Sequence, residues 1–298
     1  MDKTFFGAIG VFGRANAGKS TIVNALVGEK VSIVSPKPQT TRRRVLGVLT
    51  KGSSQIVFCD TPGLHSIKNK LDAFMDNEIV STASGLQGAI YVVDSGDPQP
   101  DIDKEHLDRL FGKAKFALSL VFNKIDLVSK TVIQELQESY AKLASFARVF
   151  TVSAKEKDSL QDLFQFLMEG LPEGPHAYDV DFYTSSTERE IVAEAIREEV
   201  LRRFFHEVPH SVAVLIDEFK ERESGKTYIS AELILERDSQ KKIIIGKGGE
   251  EIKALGVAAR TKLNQMLGRD IFLQLWVKVR PNWRKNEEWV RRMGYNQK

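Results

Sequence analysis

The run GRANAGKS (Gly13–Ser20) stands directly behind an apolar segment, FFGAIGVF (Phe5–Phe12), and directly ahead of a helical one, TIVNALV. No other feature narrows the possible folds as much. A G-x-x-x-x-G-K-[ST] turn between a strand and a helix reads as a phosphate cradle. Its glycines let backbone N–H groups approach an anion, and the helix N-terminus behind them adds partial positive charge. The spacing predicts Lys19 on the β- and γ-phosphate oxygens of a nucleotide and the Ser20 hydroxyl on Mg²⁺.

Further short apolar runs follow at Gln55–Asp60, Gly88–Asp94, Ala117–Asp126 and Arg148–Ala154, with amphipathic stretches between them. One such stretch, residues 130–146, places Val132, Leu136, Tyr140 and Leu143 at helical spacing. Near-continuous β-branched and aromatic runs suit parallel strands covered on both faces, so the alternation predicts an α/β domain. Two runs flanking Lys51–Ser54 predict a hairpin and hence one antiparallel edge strand. The N-terminal MDKTFFGAIGVFG reads as a buried strand and not as a signal peptide, because no small-residue cleavage site follows it.

The chain has 298 residues, enough for about two domains. Its 42% hydrophobic and 28% charged residues suffice for two cores and exclude a mainly disordered chain. No apolar stretch approaches the roughly 18 residues that span a bilayer. The single cysteine, Cys59, excludes an intrachain disulfide and a cysteine-ligated zinc site, and it fits a reducing cytosol.

Two further motifs define the ligand class. DTPG (Asp60–Gly63) ends one strand, where an acidic residue can hold Mg²⁺ through water and the Gly63 N–H can sense a γ-phosphate. NKID (Asn123–Asp126) ends a later strand and resembles the guanine-specificity element of GTPases. A carboxylate at Asp126 accepts from both the ring N1–H and the exocyclic amine of guanine, whereas adenine offers neither donor there. A buried carboxylate left unpaired would reject adenine. SAK (Ser153–Lys155) resembles the loop that supports the base. The expected nucleotide site is therefore Gly13, Arg14, Ala15, Asn16, Ala17, Gly18, Lys19, Ser20 and Thr21, with Asp60, Thr61, Pro62, Gly63, Asn123, Lys124, Asp126, Ser153, Ala154 and Lys155. In PKPQTTRRR (Pro36–Arg44), Thr41 is the expected switch ligand of Mg²⁺ and Thr40 the reserve. Arg42–Arg44 read as a solvated edge. Lys19, Thr41, Gly63 and Asn16 are the expected catalytic groups, and Ser20, Thr41 and Asp60 the metal ligands. Leu64 follows DTPG where many GTPases carry a water-orienting glutamine, so intrinsic hydrolysis is expected to be slow.

After a Pro/Gly-rich stretch (Leu171–Thr187) the order of elements changes. A helix (Glu188–Glu207), strands at Ser211–Phe219 and Tyr228–Glu236, a helix (Glu250–Met266), a strand (Ile271–Val279) and a short terminal helix predict a smaller α+β domain. Residues 239–298 carry fourteen Lys/Arg against five Asp/Glu, a net +9, while the remainder carries −6. A basic segment on an acidic body suggests an anionic partner. Within it, G-x-x-G (Gly246–Gly249) is the backbone clamp by which KH domains grip about four nucleotides of single-stranded nucleic acid. Lys241, Lys242, Gly246, Lys247, Gly248, Gly249, Lys253, Arg260, Arg280 and Arg284 form the candidate RNA surface. Trp276 is expected in the core, and Trp283 and Arg284 either on RNA or in packing. A regulatory GTPase docking its basic domain on lipid or protein is the alternative reading.

A leucine after DTPG, a PQTTR switch, an LPEGP linker, EAIREEVLRRFFHEVPHS and a GKGG-bearing domain ending in VKVRPNWR together resemble the bacterial Era family, nearly end to end. The resemblance implies a P-loop GTPase domain with a mostly parallel sheet (1–172), a linker (173–187) and a type II KH domain (188–298). It implies a cytoplasmic protein that hydrolyses GTP to GDP with Mg²⁺ and touches the cytoplasmic face of the inner membrane peripherally; a monomer is expected. Its partner would be the 3′ end of 16S ribosomal RNA, and its task the maturation of the 30S subunit. In the related K⁺-using subgroup, an asparagine at the position of Asn16 is a potassium ligand. Two positions depart from the family pattern: Ala15 stands where proline is usual and Ala17 where valine is usual. Proline fixes φ, so Ala15 leaves the loop more mobile.

Overall fold

The structure is a computed structural model that describes residues 3–113, 116–221 and 225–296. The chain runs β1 (Phe5–Phe12), α1 (Lys19–Val27), β2 (Val45–Lys51), β3 (Ser54–Asp60), α2 (Lys70–Thr82), β4 (Gly88–Asp94), α3 (Pro100–Phe111), β5 (Ala117–Asn123), α4 (Lys130–Tyr140), β6 (Val149–Thr151) and α5 (Gln161–Glu169). It continues with α6 (Glu188–Arg203), α7 (Val208–Ser211), β7 (Ala213–Glu221), β8 (Thr227–Leu235), α8 (Asp238–Ile245), α9 (Glu250–Leu267), β9 (Ile271–Val279) and α10 (Glu287–Arg292). Two compact units result. One comprises Met1–Val34, Thr41–Ser66 and Met75–Ser185, the other Ser35–Thr40, Ile67–Phe74 and Ser186–Lys298.

The first unit is the expected α/β domain. Its six strands lie in the order β2-β3-β1-β4-β5-β6, and only β2 is antiparallel. The hairpin closes where Lys51 pairs with Ser54. Helices cover both faces, which explains the near-continuous apolar runs. On one face Val11, Ile56, Ile90 and Val121 pack with Ile22 and Val23 of α1 and Leu163 of α5. On the other, Phe12, Tyr91 and Phe122 pack with Leu107 of α3 and with Leu136 and Tyr140 of α4.

Three boundaries differ from the sequence expectation, each for a local reason. The strand expected to reach Asp126 stops at Asn123, because Lys124 takes φ 64° and Ile125–Leu127 winds into a 3₁₀ turn. Helix α4 stops at Tyr140 and not near residue 146. Leu143 N–H donates to Tyr140 O at 3.0 Å, and that tighter turn lets Ala147 N–H reach Leu118 O at 2.8 Å. Strand β6 is only three residues long, since Ala154 leaves the ladder to donate its N–H to Asn123 Oδ1 at 3.0 Å. The Pro/Gly-rich stretch is also pinned to this unit. The buried Gln55 amide accepts from Ala177 N–H and Tyr178 N–H, and Tyr183 O accepts from Val48 N–H on edge strand β2. That contact occupies an edge that would otherwise invite pairing. Arg42 corrects the expectation of a solvated basic edge. It is 2% exposed, while Arg43 is half-buried and Arg44 remains outside.

The second unit is a three-stranded sheet, β7-β8-β9, antiparallel then parallel, with α6 and α9 packed on one face. Helix α6 opens on a capping box between Thr187 and Glu190. It ends before the expected Glu207: the chain leaves the helix at Phe204, His206 adopts φ 57°, and Val208 and Pro209 open the separate α7. Helix α8 has no counterpart in the sequence expectation, which passes from the strand ending at Glu236 to the helix opening at Glu250; the three β-branched isoleucines at 243–245 lower helix propensity there. Its start is fixed by Gln240, whose buried amide accepts from Glu236 N–H and Arg237 N–H.

The two tryptophans take opposite places. Trp276, expected in the core, is 51% exposed, because Leu273, Leu275 and Val277 are the inward residues of β9 and strand parity turns Trp276 to the other face. Trp283 is fully buried and donates Nε1–H to Ser211 O at 2.8 Å, so packing is its role.

Ile90 lies in the fully buried centre of the six-stranded sheet. Ile90→Ala is expected to cost about 2–5 kcal/mol in urea unfolding, whereas Val180→Ala, at a 70% exposed position, stays within about 0.5 kcal/mol.

Candidate functional site

The carboxyl ends of β1, β3 and β5 deliver their loops to one edge of the sheet, the place where open α/β sheets bind ligands. The glycine-rich turn follows β1. Gly18 adopts φ 95°, and a Cβ there would lie 2.1 Å from the Asn123 amide nitrogen, so only glycine fits. That amide donates to Ala17 O at 2.8 Å, while its oxygen accepts from Ala154 N–H. Asn123 thus joins the phosphate loop to the SAK loop. Ala17 is buried, Thr21 sits in the first turn of α1, and Asn16 is exposed at φ 65°, a conformation asparagine tolerates better than most residues.

Lys19 is buried, and its Nζ donates to Gly13 O at 2.9 Å and Arg14 O at 2.8 Å. Burial lowers its pKa to about 8, against the opposing pull of Asp60. Ser20 Oγ donates to Asp60 Oδ2 at 2.6 Å and lies 2.8 Å from Thr41 Oγ1. Burial raises the Asp60 pKa, opposed mainly by the hydrogen bond from Ser20, and its Oδ1 is buried without a hydrogen-bond partner. An orphaned carboxylate oxygen beside two hydroxyls is a hard-oxygen donor set that suits Mg²⁺. Thr40 instead donates to Lys37 O at 2.6 Å, so of the two threonines it is Thr41 that lies beside Ser20 and Asp60. Thr61 Oγ1 donates to Val11 O at 2.7 Å, tying the Asp60–Gly63 loop to β1. After Pro62 and Gly63, Leu64 is 4% exposed and donates its N–H to Gly13 O, so its side chain belongs to the core.

At the base end, Lys124 pairs with Asp94 at 2.5 Å. Asp126 is exposed and not buried as expected, because the 3₁₀ turn carries it beyond the end of β5. Ser153 Oγ donates to it at 2.8 Å and Lys155 Nζ lies 3.4 Å away. The serine hydrogen bond, with a smaller contribution from Lys155, holds this carboxyl below the usual range. It is therefore an ionised acceptor at neutral pH, as paired recognition of N1–H and an exocyclic amine requires.

In the second unit, Gly246, Gly248 and Gly249 all have positive φ and form the turn between α8 and α9. A Cβ at Gly248 (φ 62°) would meet nothing within 4 Å, so its glycine requirement is conformational and its outer side is open. Beside the turn runs a groove of about 320 Å³ between α9 and β9, with Ile252, Gly256, Val257, Leu273 and Leu275 as its apolar floor and Lys253 and Arg260 as its cations. Lys242 and Lys247 are exposed and Lys241 is half-buried on the same helix–turn segment. Arg280 stacks on Trp289 at 5.1 Å. Arg284 is engaged inside the fold by Glu236 at 2.6 Å and His210 O at 3.2 Å, which sets it apart from the groove cations.

Family models match in the same two regions, a 50S ribosome-binding GTPase over residues 8–124 and a KH domain over residues 207–284. GTPase Era of Lacticaseibacillus paracasei is 41% identical over 298 residues, covering 100% of this chain and 99% of the relative. The chain belongs to the Era family. GTPase Era of Heliobacterium modesticaldum is 40% identical over the same length. A crystal structure of Era with MgGDPNP and nucleotides 1506–1542 of 16S ribosomal RNA superposes with a TM-score of 0.95 at 34% identity, covering 99% of this chain and 100% of that one. A point variant of Aquifex aeolicus Era bound to GDP and AlF4⁻ gives 0.93, again at 34% identity and with the same coverage. As an Era-family GTPase, the chain hydrolyses GTP.

Sequence reasoning missed two features of this Era-family site. Helix α8, which frames the clamp, was missed; the signals that could have found it are Asp238 and Gln240 at its start and Gly246 at its end. The side-chain anchor of Arg14 on Asp97 and Asp103 has no motif and required the fold.

Asp126→Asn replaces an acceptor by a group that both donates and accepts. GDP affinity is expected to fall about a hundredfold while xanthosine diphosphate, with a carbonyl at the amine position, binds better than to the parent protein. Titration of both nucleotides against both proteins checks this.

Proposed function

We propose that this chain is a GTP-driven switch of the cytoplasm that binds the unpaired 3′ end of 16S ribosomal RNA and assists maturation of the 30S subunit. The observation that carries the reading is a glycine clamp beside a basic, apolar-floored groove, in the same polypeptide as a guanine-nucleotide site. The Era structure with nucleotides 1506–1542 of 16S ribosomal RNA supports it. Clamp glycines let a nucleic-acid backbone approach, Lys247, Lys253 and Arg260 neutralise phosphates, and the apolar floor receives bases.

In the hydrolysis step this chain mainly positions and neutralises. Lys19 leaves the Gly13 and Arg14 carbonyls for the β- and γ-phosphate oxygens. Ser20, Thr41 and Asp60 would hold Mg²⁺, which when bound neutralises charge between those phosphates. The Gly63 N–H meets the γ-phosphate. With the Leu64 side chain turned into the core, water orientation falls to main-chain groups, and intrinsic turnover is slow. Asn16, exposed on the loop, offers a side-chain oxygen suited to K⁺. Turnover is expected to be faster in KCl than in NaCl and Asn16→Ala to remove the difference; equal rates in both salts for the parent protein contradict that assignment.

Filter binding of a 3′-end 16S oligonucleotide across a salt series tests the RNA reading. With about four phosphates gripped, log K should fall against log salt with a slope near −3, and Lys253→Ala should flatten it by about one. A flat slope contradicts the reading. Vesicles of anionic lipid, tested without RNA, separate it from docking on a membrane face; no described helix is long and apolar enough to cross one.

A further inference from the structure

Phosphate binding uses the backbone of Arg14 and leaves its side chain without a task. The guanidinium turns out of the loop. Its Nη2 donates to Asp97 O, its Nη1 lies 3.4 Å from Asp97 Oδ2, and its Nε lies 3.5 Å from Asp103 Oδ1. Asp103, in the first turn of α3, is 1% exposed. Its two oxygens are engaged from two further elements: Tyr91 of β4 donates its O–H to Oδ1 at 2.7 Å, and Tyr140 at the end of α4 donates to Oδ2 at 2.5 Å. Burial, together with the neighbouring carboxylate, raises both phenol pKa values far above their ordinary value, so both stay donors.

A buried carboxylate is tolerated only when it is hydrogen-bonded and paired, and Arg14 is the cation that reaches this one. The same residue is held from inside the loop. Arg14 O accepts from Lys19 Nζ at 2.8 Å and from Ala17 N–H at 3.4 Å, and the adjoining Gly13 O accepts from Leu64 N–H at 3.1 Å. Without nucleotide Arg14 is thus fixed at both ends, by a buried anion outside the loop and by the lysine within it; once Lys19 turns to the phosphates, the outer anchor is the one that remains. The next residue, Ala15, lacks the ring that would fix φ. The loop's shape therefore depends on the Arg14 anchor.

We propose that Asp103 is a positioning residue for the nucleotide: through Arg14 it holds the phosphate loop in its binding shape, although it lies one element away from the phosphates. The inference rests on the nucleotide reading of the loop. Release of mant-GDP from the full chain, read by stopped flow, tests it on Asp103→Asn, Arg14→Gln, their double variant and Tyr140→Phe. Asp103→Asn and Arg14→Gln should each speed release about tenfold and raise KM for GTP with kcat nearly unchanged, and the double variant should add nothing further. Tyr140→Phe, which removes a phenol and leaves the ion pair, should lower Tm and leave release unchanged. If Asp103→Asn lowers Tm while release stays at the parent rate, or if the two single effects multiply in the double variant, the proposal fails. Should Asp103→Asn not fold, unchanged release from Arg14→Gln overturns it equally. Failure of the parent protein to bind mant-GDP would instead remove the nucleotide reading itself.

Discussion

One buried amide holds the nucleotide site together. Asn123 ends β5, donates to the phosphate loop at Ala17 O and accepts from the base loop at Ala154 N–H. Both bonds are needed, because a half-satisfied buried amide would carry a desolvation penalty with nothing to offset it. The geometry also determines the residues around it. Gly18 must be glycine because the amide occupies the space of a Cβ, and β5 must end at Asn123 because Lys124 turns left-handed to present Asp126. Phosphate end and base end are therefore one object, built at the carboxyl edge of a sheet covered on both faces.

The electrostatics of the two ends differ in a way that suits their ligands. At the phosphate end the charged groups are desolvated: Lys19 is depressed, Asp60 is raised and keeps an orphaned oxygen. Such a site is costly in the free protein and gains most when phosphate and metal arrive together. At the base end Asp126 remains in contact with water and is kept ionised by Ser153 and Lys155. The guanine selectivity proposed for it rests on what an ionised carboxylate can accept, not on how deeply it is buried.

The two-domain plan, the hairpin and the nucleotide motifs were legible because each rests on local chemistry: strand periodicity, turn glycines and residues at fixed spacing. Trp276 was equally legible and misjudged, since the alternation of Leu273, Leu275 and Val277 already puts it on the opposite face from the core. Helix α8 was hidden because three consecutive β-branched isoleucines lower helix propensity, and only Gln240 capping two backbone N–H groups decides for a helix. Arg42 and the Arg14–Asp103 anchor were out of reach. The anchor depends on residues that lie far apart in sequence and meet only when β4, α3 and α4 are packed, and a run of three arginines carries no local sign of which one is buried.

The central claim is that a guanine-nucleotide switch and a clamp for unpaired RNA work within one chain. Crosslinking in cells followed by sequencing of bound RNA addresses it most directly, comparing the parent protein with Gly248→Asp. Aspartate tolerates the left-handed turn better than most residues, so the variant mainly adds negative charge to the clamp. The account predicts a single dominant peak at the 3′ end of 16S ribosomal RNA that Gly248→Asp loses while GDP binding persists. An equal peak in the variant, or RNA scattered without preference in the parent protein, would contradict it.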